Sequence, residues 1–282
     1  MKGLQMASVS EGRAVIASHP PATTSEPLLW GRGLGRPLKL SVVIPVYNEV
    51  HAARRAVFRV VHELVKNGFR DFEVVIVDDG SRDGTYENLV RAALPRNVRV
   101  FRNRVNRGKG WSLIKGFMAS RGEVIAFFDG DLDIDPRQLT LMIDVIEKDG
   151  LADAVVTSKW HRLSNTKASI LRRILSKAFH TLERILLGIK VKDTQTGAKA
   201  FRRYVLDDVV PRLTVKRYAM DAELLTAVCA RGYRVVEVPA VFEIRLKAPF
   251  KLKEVFHMLI DLLAITYRHR VEKRYTSSSY KL

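Results

Sequence analysis

Cysteine is almost absent from this sequence, which has one, Cys229, in 282 residues. A single cysteine excludes an intrachain disulfide and a cysteine-based zinc site, and it favours a reducing compartment. Long apolar runs are also missing. A membrane-spanning helix needs about 20 mostly apolar residues, whereas the best stretch, Val255 to Thr266, has twelve and includes His257 and Asp261. We therefore expect no transmembrane helix, and the N-terminus has no apolar core long enough for a signal peptide.

Two glycine patterns that bind nucleotides in other folds are also lacking. The first predicted strand runs directly into IPVYNE, so no glycine-rich turn supports a dehydrogenase-type dinucleotide site. The stretch Gly108-Lys109-Gly110 has neither the upstream glycine nor the Ser or Thr of a P-loop. The sequence GRGLGR, at 31–36, comes before the first strand instead of after one. Neither a dehydrogenase nor a P-loop enzyme is predicted.

Basic residues are abundant. The chain has 48 Lys and Arg against 30 Asp and Glu, a formal net charge of +18. A charge of this sign and size favours binding to nucleic acid, to an anionic membrane surface or to a phosphorylated substrate. We do not expect nucleic-acid binding, because the sequence has no recognised binding motif and its aromatic residues are not interleaved with the basic stretches.

The region from Leu40 to Ser158 alternates apolar, β-branched runs with segments of helical periodicity. This alternation predicts an α/β fold with a mainly parallel central sheet flanked by helices. In such sheets, ligands bind beyond the carboxyl ends of the strands. The predicted strands are 40–46, 72–77, 98–101, 124–128 and 154–157, and the predicted helices are 49–67, 83–94, 109–120 and one beginning at Pro136.

Acidic residues follow two of these strands. Asp129, Asp131 and Asp133 follow the run VIAFF, and Asp78 and Asp79 follow FEVVIV. Carboxylates spaced two apart at a strand end suit Mg²⁺ or Mn²⁺, which commonly bridge protein carboxylates and a diphosphate. The alternative is a solvated acidic loop. Asp78 and Asp79 suit contacts to a base or ribose, or they form only a turn.

The second half of the chain is strongly basic. Residues 162–192 hold eight Lys and Arg against one acid, Glu183, and residues 245–282 hold nine against three acids. Apolar residues recur at helical spacing in 162–192 and 251–270, which predicts two amphipathic basic helices. Such helices lie on an anionic membrane surface. The alternative for 162–192 is ordinary packing on the sheet, and we favour membrane contact.

Seven motifs follow one another along the chain. In order, they are IPVYNE (44–49), VDDGSRDGT (77–85), NRGKG (106–110), SRGE (120–123), DGDLD (129–133), DTQTGAKAF (193–201) and RYAMDAELL (217–225). Together they resemble one family, the inverting family-2 glycosyltransferases of GT-A fold. Within it, the sequence is most similar to the dolichyl-phosphate glucosyltransferases, with the dolichyl-phosphate mannose synthases as close cousins. The resemblance covers about Leu40 to Tyr267.

The resemblance implies a donor site whose metal, Mg²⁺ or Mn²⁺, holds the diphosphate of a nucleotide sugar. Asp129 and Asp131 would bind the metal. Asp133 stands where the mannose synthases have glutamine, so it either joins them as a third metal ligand or changes the ligand set. Lys109 approaches the phosphates or is solvent-exposed. The residues implied to hold the nucleotide are Pro45, Tyr47, Glu49, Asp78 and Asp79.

The resemblance also implies an acceptor, a polyprenyl or dolichyl phosphate. Arg172 and Ser176 match the pattern that holds the lipid phosphate in the mannose synthases, and Lys159 and Arg202 are further phosphate ligands. Asp221 stands where many relatives have a catalytic base; here it acts as a base, orients the sugar or positions Arg217.

The implied reaction is the transfer of a hexose to that lipid phosphate. A phosphate monoester is largely a dianion at neutral pH, so it can attack the anomeric carbon without a base and give a β-linked product. UDP-glucose is favoured as the donor. The alternatives are GDP-mannose as the donor and a soluble acceptor.

The predicted organisation has three parts. Residues 1–38 form a disordered tail, and residues 39–246 form the GT-A domain, with a donor half at 39–158 and an acceptor half at 159–246. Residues 247–282 form the C-terminal amphipathic basic helix and tail. The predicted location is cytoplasmic, peripheral on the cytoplasmic face of a membrane.

Overall fold

The computed structural model describes residues 39–131, 133–149, 152–159, 180–215, 219–241 and 252–277, with the backbone alone at 148–149 and 252–256. The predicted tail at 1–38 lies outside these residues, as do Arg172, Ser176 and Arg217. The strands are β1 (Leu40–Val46), β2 (Phe72–Asp78), β3 (Val98–Arg102), β4 (Val124–Phe128), β5 (Ala154–Ser158), β6 (Ala198–Arg202) and β7 (Val235–Pro239).

The helices follow the strands in an α/β order. They are α1 (Ala53–Lys66), α2 (Thr85–Arg91), α3 (Lys109–Ala119), α4 (Arg137–Asp149), α5 (helical at 180–187), α6 (Arg203–Val209), α7 (Met220–Ala230) and α8 (Leu252–Arg270), with a 3₁₀ turn at Val210–Arg212. Among the described helices, none combines the length and apolar character needed to cross a bilayer.

Within the part of the chain that the structure describes, one sheet of seven strands, in the order β3-β2-β1-β4-β6-β5-β7, forms the centre of the fold. Strands β3, β2, β1 and β4 pair in parallel with one another, and β5 pairs in parallel with β7. Strand β6 runs antiparallel to both β4 and β5. The prediction of a mainly parallel sheet flanked by helices is therefore confirmed.

Helices cover both faces of this sheet, which explains the continuous apolar runs in its strands. Side chains alternate along β1: Val42 and Ile44 face the core formed with α1 and α4, whereas Val43 faces the core formed with α3, α7 and α8. Both apolar layers are buried, so β1 has no solvent-facing side that would require polar residues.

Most element boundaries lie within two residues of the sequence prediction, and three differ by more. The second helix ends at Arg91, not at residue 94, because Ala92 is extended. The first helix begins at Ala53, not at residue 49, because the Glu49 backbone N–H donates to Oγ1 of Thr85 (2.8 Å) and residues 49–52 form a turn. The basic helix predicted at 162–192 is helical at 180–187, and residues 188–192 are not; Gly188, with φ of +68°, ends it. Residues 160–179 lie outside the described ranges.

Candidate active site

The carboxyl ends of β1, β2 and β4 meet at one edge of the sheet, as their parallel registers require. Asp129 leaves β4 at this edge. Because β6 is antiparallel, its first residue, Ala198, pairs with Phe128, and the Asp129 N–H donates to the carbonyl of Gly197 (2.9 Å). The segment before β6 therefore lies beside the acidic residues that follow β4.

Two glycines make room for the Asp129 side chain and its loop. A Cβ on Gly197 would stand 2.3 Å from Oδ2 of Asp129, and one on Gly130 would stand 2.9 Å from Cγ1 of Val46. A methyl group at position 197 would displace the carboxylate of Asp129, so glycine leaves room for that carboxylate in its observed position.

Lys109, the first residue of α3, lies between two carboxylates. Its Nζ is 2.8 Å from Oδ1 of Asp129 and 3.3 Å from Oδ2 of Asp221. Burial lowers the pKa of the Lys109 ammonium, but the two carboxylates more than offset this, and the pKa lies above its usual value. Lys109 is therefore held in an ion pair and is not a free solvated lysine. Its contact with a phosphate stays a prediction.

A second lysine completes the arrangement. Lys199, on β6, is 1% exposed, and its Nζ lies 2.9 Å from Oδ1 of Asp221 and also donates to the carbonyl of Thr196. Asp129, Lys109, Asp221 and Lys199 thus form a row of alternating charges, which we call the charge row. Lys199 was not predicted, although a lysine between Ala198 and Ala200 in an apolar strand is a visible signal.

The charge row sets the ionisation of its two acids. Burial raises the pKa of Asp221, but Lys109 and Lys199 outweigh it, so the pKa lies below the usual value and the side chain is a weak base. Burial also raises the pKa of Asp129; Lys109 opposes this and Asp131 adds to it, and the net pKa is above the usual value. A second cation beside Asp129 and Asp131 would relieve their repulsion.

Asp79 organises the loop that leads to Lys109. Its carboxylate accepts hydrogen bonds from Nδ2 of Asn103 (2.8 Å) and from the backbone N–H groups of Arg107 (2.9 Å) and Gly108 (2.7 Å). Both oxygens are therefore engaged within the protein. Contact between Asp79 and a nucleotide stays a prediction, and Asn103 is a supporting residue that the sequence did not single out.

Asp78 and the loop after β1 are joined by a separate set of bonds. Oδ2 of Asp78 accepts the Ser81 N–H (3.2 Å), and Oγ of Ser81 accepts the Asn48 N–H (2.9 Å). This contact brings IPVYNE against VDDGS at the carboxyl edge. Tyr47 is exposed, and Pro45 and Glu49 are half-buried. These side chains line the same edge as the acids, and their nucleotide contacts stay predictions.

The structure separates the predicted phosphate ligands. Lys159 lies at the end of β5, and its Nζ is 3.5 Å from Oδ1 of Asp193. Arg202 pairs with Val124 at the start of β4, so it lies at the opposite edge of the sheet from Asp129. Its guanidinium donates to the carbonyls of Ile146 (2.6 Å) and Ala152 (3.3 Å). This corrects the expectation for Arg202, which we do not retain as a phosphate ligand.

The donor set at the β4 edge suits a divalent metal shared with a substrate. Within the described ranges, no three His, Cys, Asp or Glu side chains form a ready metal cage. Mg²⁺ commonly uses one or two carboxylates and takes its other ligands from water and phosphate oxygens, which fits Asp129 and Asp131. The Asp133 N–H donates to Oδ1 of Asp131 (3.0 Å), and Asp133 itself is buried. Its role as third ligand stays a prediction.

Comparison with known proteins agrees with this fold. The dolichyl-phosphate beta-glucosyltransferase of Dictyostelium discoideum is 32% identical over 200 residues, 66% of this chain and 61% of that protein. The polyprenol monophosphomannose synthase of Mycolicibacterium smegmatis is 32% identical over 208 residues, 71% of this chain and 76% of that protein. The chain spans less than two thirds of the length of several of the curated relatives that it matches.

Solved structures show the same architecture. Glucosyl-3-phosphoglycerate synthase from Mycobacterium tuberculosis, in complex with UDP, superposes with a TM-score of 0.62 and 19% identity, covering 89% of this chain and 88% of that chain. The GT-A fold is thus confirmed. The profile described as Glycosyl transferase family 2 matches residues 41–210, and the chain belongs to that family.

Proposed function

We propose that this chain transfers a hexose from a nucleotide sugar to the phosphate of a dolichyl or polyprenyl lipid, giving a β-linked product. The observation that carries the proposal is the charge row, which places Asp129 and Lys109 beside Asp221 at the carboxyl edge of the sheet. The names of the Dictyostelium and Mycolicibacterium relatives support a lipid-phosphate acceptor. UDP-glucose is the favoured donor, with transfer from GDP-mannose as the alternative.

The donor half of the site would hold the nucleotide diphosphate. We assign the nucleoside to Pro45, Tyr47, Glu49 and Asp78, which line the edge beyond β1 and β2. Asp129 and Asp131 would hold Mg²⁺ or Mn²⁺, with Asp133 as a further ligand. When bound, the metal neutralises charge that develops on the departing diphosphate. Mn²⁺ or Mg²⁺ was present with UDP in the fold neighbour, glucosyl-3-phosphoglycerate synthase.

The charge row favours an acceptor that needs no base. The two lysines hold Asp221 as a carboxylate with a lowered pKa, so it is poorly suited to removing a proton. A phosphate monoester is already largely a dianion at neutral pH. We therefore assign Asp221 an orienting role toward Lys109 and the sugar. Lys159, together with Arg172 and Ser176, would hold the lipid phosphate.

Turnover with defined substrates tests the proposal. Purified full chain would be incubated with Mn²⁺, a polyprenyl phosphate in detergent, and either UDP-glucose or GDP-mannose, and lipid-linked hexose measured by mass spectrometry. We expect product from UDP-glucose that is lost in Asp131→Asn and kept in Asp71→Asn, an exposed control. Product from GDP-mannose alone would select the alternative donor.

A soluble acceptor provides the contrasting result. The fold neighbour was also solved with UDP-glucose and phosphoglyceric acid, so 3-phosphoglycerate serves as a phosphorylated acceptor without a lipid. Transfer to 3-phosphoglycerate without any transfer to polyprenyl phosphate would overturn the lipid-acceptor proposal and keep the glycosyltransferase. Absence of transfer from either donor to either acceptor, by protein that binds UDP, would overturn both.

A further inference from the structure

Helix α8 has an apolar stripe on its outward side. Leu263, Tyr267 and Val271 are 58%, 56% and 64% exposed, and Ile260, one turn earlier, is half exposed. Their spacing of three and four residues places them on one side of the helix and its C-terminal end. The inward side is also apolar, since Leu262 and Ile265 are buried in the core shared with α7. An outward helix face in water is ordinarily polar, so this stripe calls for a partner.

Cations border the stripe. Arg270 and Lys273 are exposed beside Val271, and Nη2 of Arg270 donates to the carbonyl of Ile185 (2.6 Å) at the end of α5. Ile185 is itself 65% exposed, and Arg184 beside it is exposed. One exposed acid, Glu272, accompanies these three cations.

This surface is tied to the active site through α7. Arg268, next to Tyr267, lies with Nη1 3.0 Å from Oε1 of Glu223. Glu223 is in the first turn of α7, two residues after Asp221. The C-terminal part of α8 therefore lies against the first turn of α7, which carries Asp221. A partner bound to the stripe would be held close to the carboxyl edge of the sheet, where the candidate active site lies.

We propose that the outward stripe of α8, together with Ile185 and its flanking cations, binds the surface of an anionic lipid bilayer. Apolar side chains bordered by Lys and Arg match the two layers of a membrane interface, the acyl boundary and the anionic headgroups. A second copy of this chain fits less well, because a two-fold contact would bring the flanking cations of two proteins with net charge +18 together. The inference rests on the proposed function in one respect only: membrane binding would bring the active site to a lipid acceptor.

Vesicle binding tests this surface without substrates. Full chain would be sedimented with phosphatidylcholine vesicles that contain or lack phosphatidylglycerol, without donor or polyprenyl phosphate. We expect binding to the anionic vesicles, weakened by salt, and a loss of about tenfold or more in Leu263→Gln/Val271→Gln, because two exposed apolar side chains no longer enter the bilayer. The matched control is Val90→Gln/Met118→Gln, two exposed apolar residues on α2 and α3, which should bind as the parent does.

The outcomes separate this inference from the proposed function. Equal binding by the stripe variant and the parent, or equal binding to neutral and anionic vesicles, would overturn the proposal. A change in the oligomeric state of the stripe variant with no loss of vesicle binding would overturn it in favour of a self-association face. We expect the stripe variant to keep parental turnover of detergent-dissolved acceptor. Vesicle binding by a chain that transfers no sugar would sink the proposed function and leave the membrane surface standing.

Discussion

Nζ of Lys199 lies 2.9 Å from Oδ1 of Asp221, and Nζ of Lys109 lies 3.3 Å from Oδ2 of the same carboxylate. Each oxygen of Asp221 therefore faces one ammonium group. Lys199 is the more buried of the two lysines, with a side chain 2% exposed against 21% for Lys109. We infer that Lys199 fixes Asp221 from within the core, and that Lys109 connects Asp221 to Asp129.

Removing Lys199 should be costly. In Lys199→Met, Asp221 keeps one of its two cations in a buried setting, and loss of one partner of a buried pair costs about 3 kcal/mol or more. We expect urea unfolding to show a loss of that size. Adding Asp221→Asn to Lys199→Met should restore part of the stability, because the uncompensated charge is then gone. Strictly additive losses in this double-mutant cycle would show that the two residues are not coupled.

Asp79 should be required to hold the loop before α3 in its observed conformation. Asp79→Asn places an amide opposite N–H donors, so at least one of the three hydrogen bonds to Asn103, Arg107 and Gly108 is lost. We expect a loss of about 2 kcal/mol in the free energy of unfolding and faster hydrogen exchange at the amides of Arg107 and Gly108. Asp71→Asn, at an exposed position, is the control and should change neither. Unchanged exchange in Asp79→Asn would contradict the assignment.

Two glycines should respond differently to substitution by alanine: Gly197 lies beside Asp129, and Gly122 lies at the opposite edge of the sheet. In Gly197→Ala, the new methyl group would stand 2.3 Å from Oδ2 of Asp129, so the carboxylate must move. We expect a fold-competent protein that binds Mn²⁺ more weakly and transfers sugar about 100-fold more slowly, as a misplaced catalytic group does. Gly122→Ala clashes with Ser41 at the opposite edge. It should lower stability while Mn²⁺ binding persists, and similar Mn²⁺ affinities in both variants would refute the distinction.

Acid should remove the contribution of Asp208 to stability. Burial by itself raises the pKa of Asp208, but hydrogen bonds from Nε of Arg231 (2.7 Å) and from the Tyr233 hydroxyl (3.0 Å) outweigh it and hold the pKa below its usual value. A lowered folded-state pKa stabilises the fold at pH values above the unfolded-state pKa of about 3.9 and loses that effect as the pH falls through the folded-state value.

The matching measurement compares the parent with Asp208→Asn by urea unfolding across pH. We expect the parent to be more stable by about 1 to 3 kcal/mol at neutral pH. The gap should close as the pH drops below about 4. A gap of constant size from neutral to acidic pH would mean that the carboxylate charge is not what stabilises this cluster.

Local pattern was enough to predict the parallel part of the sheet and its acidic edge. The boundaries of β1 and β4 match because each strand is covered on both faces and is apolar throughout. The position of Asp129 at the end of β4 then placed the site. The start of α1 was predicted too early, because helical periodicity does not reveal that the Glu49 backbone bonds to Thr85, the first residue of α2.

The charge row could not be predicted from local pattern. Lys109 and Asp221 are 112 residues apart, and their contact depends on an antiparallel strand inserted between β4 and β5. Strand pairing between distant segments leaves no periodic signal in either one. Lys199 lies in the DTQTGAKAF motif. Its ion pair with Asp221 depends on the position of β6 between β4 and β5. Arg202 lies at the opposite edge of the sheet from Asp129 for the same reason, because β6 runs antiparallel to β4.

The insertion of β6 also governs how the chain can reach its folded state. Strands β4 and β5 precede β6 in the chain, yet each pairs with it and not with the other. During synthesis from the N-terminus, both strands have open edges until residues 198–202 emerge. Open edges promote association between chains. The predicted donor and acceptor halves therefore cannot be separated at residue 158 as independently folding pieces. The first would carry β4 with one open edge and β5 with two, and the second would carry β6 and β7, the strands that close them.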